Sequence, residues 1–265
     1  MLLVELLVFS VDPAFAAACV DAGAAGVIVD WERRGKHRRQ AGEGTQINSD
    51  TPADLARVRA ATPGRVLCRV NSAGPWTHDE VELAIALGAD EVLLPMVRRP
   101  EQVDLALDGV AGRCGLGILV ETQDAVERVD ELADRPLSRV YLGLNDLRID
   151  RGSEALFTPL VDGTVDSVRA ACGPVPFGVA GLTLPDGGWP VPSTLLTAEL
   201  ARVGADFTFL RRSFTADVAG RDLRVEVPRI LDACAAARGR TAGEVAEDAA
   251  ALAAAVAPAR VALPA

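Results

Sequence analysis

The sequence has few of the residues from which zinc sites and disulfide frameworks are built. It holds two histidines and five cysteines, and their spacing matches neither a CxxC pair nor a Cys/His zinc motif. Each cysteine lies in or beside an apolar segment, which is typical of inert core thiols in a reducing cytoplasm. The sequence therefore argues against a zinc or disulfide scaffold and predicts a cytoplasmic protein. The cysteines are Cys19, Cys68, Cys114, Cys172 and Cys234.

The sequence also lacks a targeting segment, a membrane span and a basic surface. The apolar N-terminus contains Glu5 and has no basic leader, so it is predicted to be a strand and not a signal peptide. The apolar tail from Ala249 is interrupted by Pro258 and Arg260, which leaves no segment long enough to span a bilayer. The net charge of −10 argues against nucleic acid or an anionic membrane as the main partner.

What the sequence does contain is a regular alternation of strand and helix patterns. Short runs rich in β-branched residues alternate with helical patterns, and helix starts are marked by Asp12-Pro13, Thr51-Pro52, Pro100 and a Thr77/Glu80 capping box. The predicted strands are at about 4–10, 26–32, 65–72, 91–97, 115–122, 139–147, 176–181 and 205–214.

Eight strand–helix units without a linker predict a closed (β/α)8 TIM barrel over residues 1–240. A doubly wound sheet is the competing fold, but no GxGxxG fingerprint follows the first strand. An additional Ala-rich helix begins at a Thr241/Glu244 capping box and forms a C-terminal tail, 241–265.

Two carboxylates end successive predicted strands. Glu121 and Asp146 lie at the C-terminal ends of the fifth and sixth predicted strands, which flank one predicted amphipathic helix. Neighbouring carboxylates at the mouth of a barrel repel each other and retain a proton unless a cation neutralises them. Mg²⁺ or Mn²⁺ suits an all-oxygen site that keeps positions open for water or substrate. The pair therefore predicts a divalent-metal site.

Further polar residues are predicted at the same rim, where the active sites of such barrels lie. The period of two places Asp30 with Glu32, and Arg69 with Asn71, on one face of their strands. Arg211 and Arg212 are adjacent, so at most one is expected to point inward. That one would bind a distal carboxylate or pair with an acid of the second strand. A salt-bridge ring that merely closes the barrel top is the alternative interpretation.

These groups predict metal-assisted enolate chemistry. A small 2-oxo acid would occupy two metal positions, and charge on its keto oxygen would be stabilised by the metal and by Arg69. Such a site makes and breaks carbon–carbon bonds next to a carbonyl. His37 lies in the loop after the second strand and is a candidate catalytic base, although its basic neighbours are equally typical of a solvated loop.

Several motifs resemble one known family. VDWE (29–32), CRVN (68–71), GADEVLLPMV (88–97), ILVET (118–122) and YLGLNDL (141–147) are similar, in order and spacing over about residues 4–215, to the HpcH/HpaI aldolase and citrate lyase β-subunit family. The resemblance implies a TIM barrel, a Mg²⁺ or Mn²⁺ ion and a pyruvate or acetyl-thioester enolate. It also implies trimers or hexamers built by exchange of a C-terminal helix.

Within that resemblance the candidate residues take specific roles. Glu121 and Asp146 match the metal ligands, Arg69 matches the arginine at the substrate carbonyl, and Asp30 and Glu32 match the acidic pair of the second strand.

The chain departs from the family after this acidic pair. It has Arg33 where the aldolase branch has a histidine and the citrate lyase branch an aspartate, while Lys36 and Arg39 loosely resemble basic residues of the citrate lyase branch. Three functions stay open: a metal-dependent aldolase or lyase of a small 2-oxo acid, a citryl- or malyl-CoA-type lyase or thioesterase acting on a hydroxyacyl substrate, and a non-catalytic metabolite-binding barrel.

Overall fold

Eight parallel strands pair in sequence order, and the last strand pairs with the first, so the sheet closes into a barrel. The predicted TIM barrel is confirmed in a computed structural model that describes residues 4–39 and 50–257, apart from the side chains of His37 and Arg38. The strands are β1 (Glu5–Phe9), β2 (Gly26–Asp30), β3 (Arg65–Arg69), β4 (Glu91–Leu94), β5 (Gly115–Val120), β6 (Arg139–Leu142), β7 (Phe177–Leu182) and β8 (Phe207–Leu210).

Helices on the outside of the barrel follow the strands. They are α1 (Pro13–Asp21), α2 (Lys36–Arg39), α3 (Pro52–Ala61), α4 (Thr77–Ala86), α5 (Pro100–Val110), α6 (Gln123–Glu127), α7 (Val129–Ala133), α8 (Leu144–Asp150), α9 (Thr164–Cys172), α10 (Ser193–Arg202), α11 (Phe214–Asp217), α12 (Leu223–Arg238) and α13 (Ala242–Val256), with a 3-10 turn at Thr158–Leu160. Across the described ranges, none of these helices is long and apolar enough to cross a membrane.

The helix starts follow the sequence signals at most positions. Asp12 accepts hydrogen bonds from the first backbone N–H groups of α1, and Thr51 with Asp54 forms a capping box on α3. The capping box predicted for Thr77 and Glu80 is wrong. Trp76 takes the N-cap position of α4, and the Glu80 carboxylate instead accepts hydrogen bonds from the backbone N–H and the side-chain amide of Asn71.

Two further expectations about the fifth and sixth units are corrected. β6 ends at Leu142, so Asp146 lies in the first turn of α8 and not at the end of a strand. The amphipathic run after β5 forms two short helices, α6 and α7, instead of one continuous helix. Periodicity alone did not distinguish the end of the buried strand from the apolar first turn of the helix.

Side chains of alternate strand residues fill the barrel in layers. The middle layer is an apolar and aromatic cluster of Leu7, Ile28, Leu67, Leu93, Leu119, Tyr141, Phe207 and Phe209. At the N-terminal end, Arg139 Nε lies 2.6 Å from Glu91 Oε1, and Arg65 Nη1 lies 2.9 Å from Glu5 Oε2. Ion pairs thus close the lower end, and the opposite end carries the remaining inward-facing charges.

The C-terminal helix α13 packs on α10 of its own chain. Leu252 and Val256 are buried against the barrel, and Arg240 Nη2 donates to the Ala198 carbonyl over 2.7 Å. The Thr241/Glu244 capping box forms as predicted. Exchange of this helix between subunits stays a prediction.

Replacing Phe207 by Ala should destabilise the barrel. Its ring is buried among Tyr141, Phe209 and the Arg139 guanidinium, so truncation leaves a cavity that the closed sheet cannot fill. We expect a loss of about 3–5 kcal/mol in the free energy of unfolding, measured by urea titration. Val225→Ala, at an exposed apolar side chain, should change this free energy by less than about 0.5 kcal/mol. Equal losses in both variants would contradict this account of the core.

Candidate active site

One cavity of about 380 Å³ opens at the C-terminal ends of the strands. Its polar wall includes Lys36, Arg69, Glu121, Asp146 and Arg212. Its other wall is mostly apolar and aromatic, with Arg211 among these side chains. The apolar and aromatic lining residues are Phe9, Leu119, Tyr141, Leu144, Leu156, Phe157, Ala180, Trp189, Phe209 and Leu210. The predicted rim and the observed cavity therefore coincide.

Backbone groups fix the carboxylate of Glu121 at the polar wall. Glu121 follows β5 directly and continues the inward period of Leu119, and its Oε1 accepts the Met96 N–H over 2.8 Å. Met96 has a φ of 54°, a left-handed conformation that is uncommon for a side chain of this size. Gly143 leaves the space that the carboxylate needs, because a Cβ there would lie 2.6 Å from Glu121 Oε2.

The charge of Glu121 is poorly compensated. Burial raises the pKa of the Glu121 carboxyl well above its ordinary value, and the nearby carboxylates of Asp146 and Glu32 raise it further. The Arg69 charge and the Met96 N–H act in the opposite direction but do not offset burial. Among the described residues, no arginine or lysine donates a hydrogen bond to Glu121, so a cation in the cavity would supply the missing compensation.

Asp146 faces the same cavity from the first turn of α8. Its side chain is buried, and its Oδ1 accepts from Arg39 Nε over 2.8 Å. The N-terminal end of a helix favours a negative charge, which suits a carboxylate at this position. Glu121 and Asp146 therefore reach one cavity from β5 and α8.

The donor set fits Mg²⁺ or Mn²⁺. Within residues 4–39 and 50–257, no group of three or more His, Cys, Asp or Glu side chains is arranged to bind a metal. Two carboxylates are nevertheless the ligand set expected when water and substrate fill the remaining positions. The donor set suits such an ion because the charge of the Glu121 carboxylate, which lies near Asp146, is uncompensated.

A cluster of ion pairs surrounds the metal candidates. Asp30 and Arg69 are partners in the register of β2 and β3, and their side chains form two hydrogen bonds of 2.8 and 2.7 Å. Lys36 Nζ and Arg212 Nη2 also reach Asp30, at 3.3 and 3.2 Å. Burial alone would raise the pKa of Asp30, but Arg69 first, with Lys36 and Arg212, holds it far below its ordinary value. Asp30 is thus a permanent anion.

The short helix α2 completes this cluster. Gly35 has a φ of 74°, which turns the chain back toward β2 and brings Lys36 to 2.9 Å from Glu32 Oε2. Arg39 Nη2 lies 2.5 Å from Glu32 Oε1, while its Nε binds Asp146. Arg39 therefore connects the acidic pair of the second strand to one metal candidate.

Asn71 does not line the cavity. β3 ends at Arg69, so the period of two does not extend to Asn71. Its Oδ1 accepts from the backbone N–H groups of Arg33 and Arg34 at 2.9 and 2.7 Å, and its Nδ2 donates to Glu80. The structure gives Asn71 a role in shaping the loop after β2. His37 belongs to α2, but its side chain lies outside the described residues.

Both Arg211 and Arg212 line the cavity, although at most one was expected to point inward. They follow Leu210, the last residue of β8, so strand alternation no longer separates them. Arg212 joins the Asp30 cluster, as one alternative predicted. Arg211 differs. Its Nε donates to the Gly181 carbonyl over 2.9 Å. In the described ranges its buried Nη2 has no hydrogen-bond partner, and no carboxylate forms a salt bridge with it.

The sequence interpretation underestimated Lys36 and Arg39. They were assigned to a basic loop with only a loose family likeness, but both are paired with carboxylates of the site. Glu32 and Lys36 are four residues apart, but α2 begins only at Lys36, so their contact depends on the turn at Gly35 and not on helical spacing.

Comparison with known proteins gives limited sequence similarity. No protein-family model matches the chain. An indole-3-glycerol phosphate synthase from Aromatoleum aromaticum is 31% identical over 134 residues, which are 51% of this chain and 49% of that protein. The chain thus spans about half the length of this relative, and the match does not establish a family.

Solved structures share the fold. RipC from Yersinia pestis has a TM-score of 0.59 and 15% identity, over 91% of this chain and 98% of that one. An HpcH/HpaI aldolase/citrate lyase family protein from Burkholderia cenocepacia J2315 has a TM-score of 0.58 and 17% identity, over 82% and 91%. Tryptophan synthase from M. tuberculosis has a TM-score of 0.57 and 17% identity, over 88% and 93%.

These identities establish the fold alone. The family that the sequence motifs resemble is represented among the structural neighbours, as the resemblance predicts.

Removing the charge of Glu121 should stabilise the metal-free protein, increasingly so at higher pH. The pKa of Glu121 is higher in the folded state than in the unfolded state, where it is about 4.3. The wild type therefore loses stability as the pH rises from the unfolded-state pKa through the folded-state pKa. Glu121→Gln cannot ionise. We therefore expect the free energy of unfolding of Glu121→Gln to exceed that of the wild type by an amount that grows from pH 5 to pH 8. The measurement is urea titration in the presence of EDTA.

Glu127→Gln, on the exposed face of α6, is the matched control. Its difference from the wild type should not follow this trend. A Glu121→Gln variant that becomes less stable than the wild type as pH rises would contradict the assignment of an uncompensated carboxylate.

Proposed function

We propose that the protein is a divalent-metal-dependent carbon–carbon lyase or aldolase that works through the pyruvate-type enolate of a small 2-oxo acid. The observation that carries the proposal is the position of Glu121 and Asp146. Two buried carboxylates line one cavity, and Glu121 has no cationic hydrogen-bond partner in the described part of the chain. The structural neighbour from Burkholderia cenocepacia J2315, an HpcH/HpaI aldolase/citrate lyase family protein, is named for the same class of reaction.

Glu121 and Asp146 would hold the metal. A bound Mg²⁺ or Mn²⁺ would withdraw electron density from the keto oxygen and so favour the enolate. The chain's own contribution is to keep both carboxylates rigid and dry. Met96 N–H and the Gly143 gap fix Glu121, while Arg39 fixes Asp146.

Arg69 would stabilise the charge that develops on the substrate. Its Nε and Nη2 are committed to Asp30, and its Nη1 has no hydrogen-bond partner among the described residues. Since Arg69 lines the cavity, this nitrogen is free to donate to the oxygen on which the enolate charge grows. Asp30 is then a positioning residue, because its two hydrogen bonds hold the guanidinium plane.

The apolar wall would receive the remainder of the substrate. Leu156, Phe157 and Phe209 exclude water from this part of the cavity, which protects an enolate from protonation by solvent. Arg211 lines the same cavity, and within the part of the chain that the structure describes its Nη2 is unpaired and it has no carboxylate partner. A second carboxylate on the substrate would provide that partner through a charge-assisted hydrogen bond.

The geometry favours a free acid over a CoA thioester. The hydroxyacyl-CoA alternative was supported by the likeness of Lys36 and Arg39 to basic residues of the citrate lyase branch. Both side chains are instead paired with Asp30, Glu32 and Asp146. The following experiment distinguishes an enzyme from a non-catalytic metabolite-binding barrel.

Metal removal should abolish activity. We expect Mg²⁺ or Mn²⁺ to support deuterium exchange at the pyruvate methyl group, measured by proton NMR, and EDTA to stop it. Glu121→Gln should lower the exchange rate by at least about 100-fold, because the metal loses one of two protein ligands.

Glu127→Gln should exchange at the wild-type rate. Metal and pyruvate binding without any exchange would instead support the non-catalytic barrel. Unchanged exchange in a thoroughly chelated sample would refute metal dependence.

Arg211→Met should change substrate preference. If Arg211 pairs with a distal carboxylate, its loss removes about 1.5–3 kcal/mol, or roughly 10- to 150-fold in kcat/KM, for a 4-hydroxy-2-oxo dicarboxylic acid. The matching monocarboxylic acid should be cleaved at nearly the same rate by both proteins. Arg224→Met, at an exposed arginine of α12, is the charge-matched control. Equal effects on the two acids would refute the assignment.

A further inference from the structure

The chain uses lysine at one position. Of the 27 lysine and arginine residues in the sequence, Lys36 is the single lysine. It is also among the largest fully buried side chains in the structure, and it lines the cavity. Arginine stays protonated in proteins, whereas a lysine amine can give up and regain a proton. The single lysine thus lies in the candidate active site, where its amine, unlike the guanidinium groups of the lining arginines, can transfer a proton.

The hydrogen bonds of Lys36 leave one donor unused. An ammonium group has three N–H donors. One binds Glu32 Oε2 at 2.9 Å and a second binds Asp30 Oδ2 at 3.3 Å, and Lys36 has no other partner among the described residues. A third N–H therefore remains on a side chain that borders the cavity. The two carboxylates hold Lys36 Nζ in place and leave its third N–H available to a ligand in the cavity.

Other described groups of the cavity are poorly suited to carry a proton. Arg69, Arg211 and Arg212 remain charged throughout. The Tyr141 hydroxyl donates to the Ala180 carbonyl, and burial raises its pKa above the ordinary value. Under the proposed function, Glu121 and Asp146 are occupied by the metal. Among the described lining residues, Lys36 is the remaining side chain suited to carry this proton.

Building on the proposed function, we propose that Lys36 is a catalytic residue that transfers a proton to and from the oxygen of the carbon that is joined or released. In condensation, the enolate carbon bonds to the aldehyde carbon, the carbonyl π electrons move to the aldehyde oxygen, and that oxygen takes a proton from the Lys36 ammonium. Cleavage is the reverse. The hydroxyl proton passes to the Lys36 amine, the carbon–carbon pair forms the enolate, and the oxygen becomes the aldehyde carbonyl.

The position of Lys36 accounts for the departure at Arg33. Arg33 is exposed, and its backbone N–H is bound by Asn71. The residue that replaces the family's histidine therefore lies outside the cavity lining, while Lys36, three residues later, lies within it. The short turn at Gly35 thereby places the Lys36 amine in the cavity lining.

The test compares two reactions that differ in their need for this proton. Aldol cleavage of a 4-hydroxy-2-oxo acid requires a proton to leave the hydroxyl group. Metal-dependent decarboxylation of oxaloacetate forms the same enolate without that transfer. Lys36→Arg and Lys36→Met should lower aldol cleavage by at least about 100-fold and decarboxylation by less than about 5-fold. Arg33→Met, which removes a charge from the same loop, should leave both rates unchanged.

Three outcomes would overturn the role of Lys36 while the proposed function stands. These are wild-type aldol cleavage in Lys36→Arg, equal losses of cleavage and decarboxylation in both variants, and loss in His37→Ala with cleavage retained in the Lys36 variants. A different result would refute the proposed function, and the role of Lys36 with it. In that case the wild type, with Mg²⁺ or Mn²⁺ present, neither decarboxylates oxaloacetate nor catalyses deuterium exchange at the pyruvate methyl group.

The single lysine also permits a readout that does not depend on turnover. Protein labelled with ¹⁵Nζ-lysine gives one side-chain NMR signal, so no assignment is needed. Addition of Mg²⁺ and then oxalate, a stable mimic of the enolate, should shift this signal. Oxalate binding detected by calorimetry without any change in the lysine signal would show that Lys36 does not face the ligand and would overturn the proposal.

Discussion

The site depends on a carboxylate that is buried without a cation of its own. Asp30, Glu32 and Asp146 each accept hydrogen bonds from arginine or lysine side chains, whereas Glu121 accepts, among the described residues, only from the backbone N–H of Met96. Burial of an uncompensated charge is costly, so such a group persists where it serves a ligand. The asymmetry between one unpaired acid and three paired ones separates a binding site from a salt-bridge ring that only closes the barrel.

Barrel geometry explains how residues far apart in sequence reach this site. Asp30 and Arg69 meet because β2 and β3 are parallel and in register, and the inward period of β5 carries Glu121 to the same end. Local structure supplies the rest. The turn at Gly35 folds Lys36 and Arg39 back onto Glu32, which lies just after β2.

The sequence predicts the elements with strong local patterns. Alternating strands and helices yield the barrel, and the position of Glu121 follows from the apolar strand before it. Asp146 was placed on a strand because the first turn of α8 is as apolar as the end of β6. Asn71 was assigned to the cavity by extending a period beyond the end of β3. The partners of Lys36, Arg39 and Arg211 depend on contacts between loops, which no local pattern encodes.

Ion pairs among Glu5, Arg65, Glu91 and Arg139 fill the lower end of the barrel, and the aromatic layer lies above them. Small molecules can therefore enter and leave the described interior only through the C-terminal end of the barrel. Under the proposed function, two fragments produced inside would leave by the route through which the intact molecule entered. The fragment nearer the mouth would depart first, and the fragment held by Glu121 and Asp146 would follow it. Release would then be ordered by depth, and slow departure of the outer fragment would favour rejoining over escape.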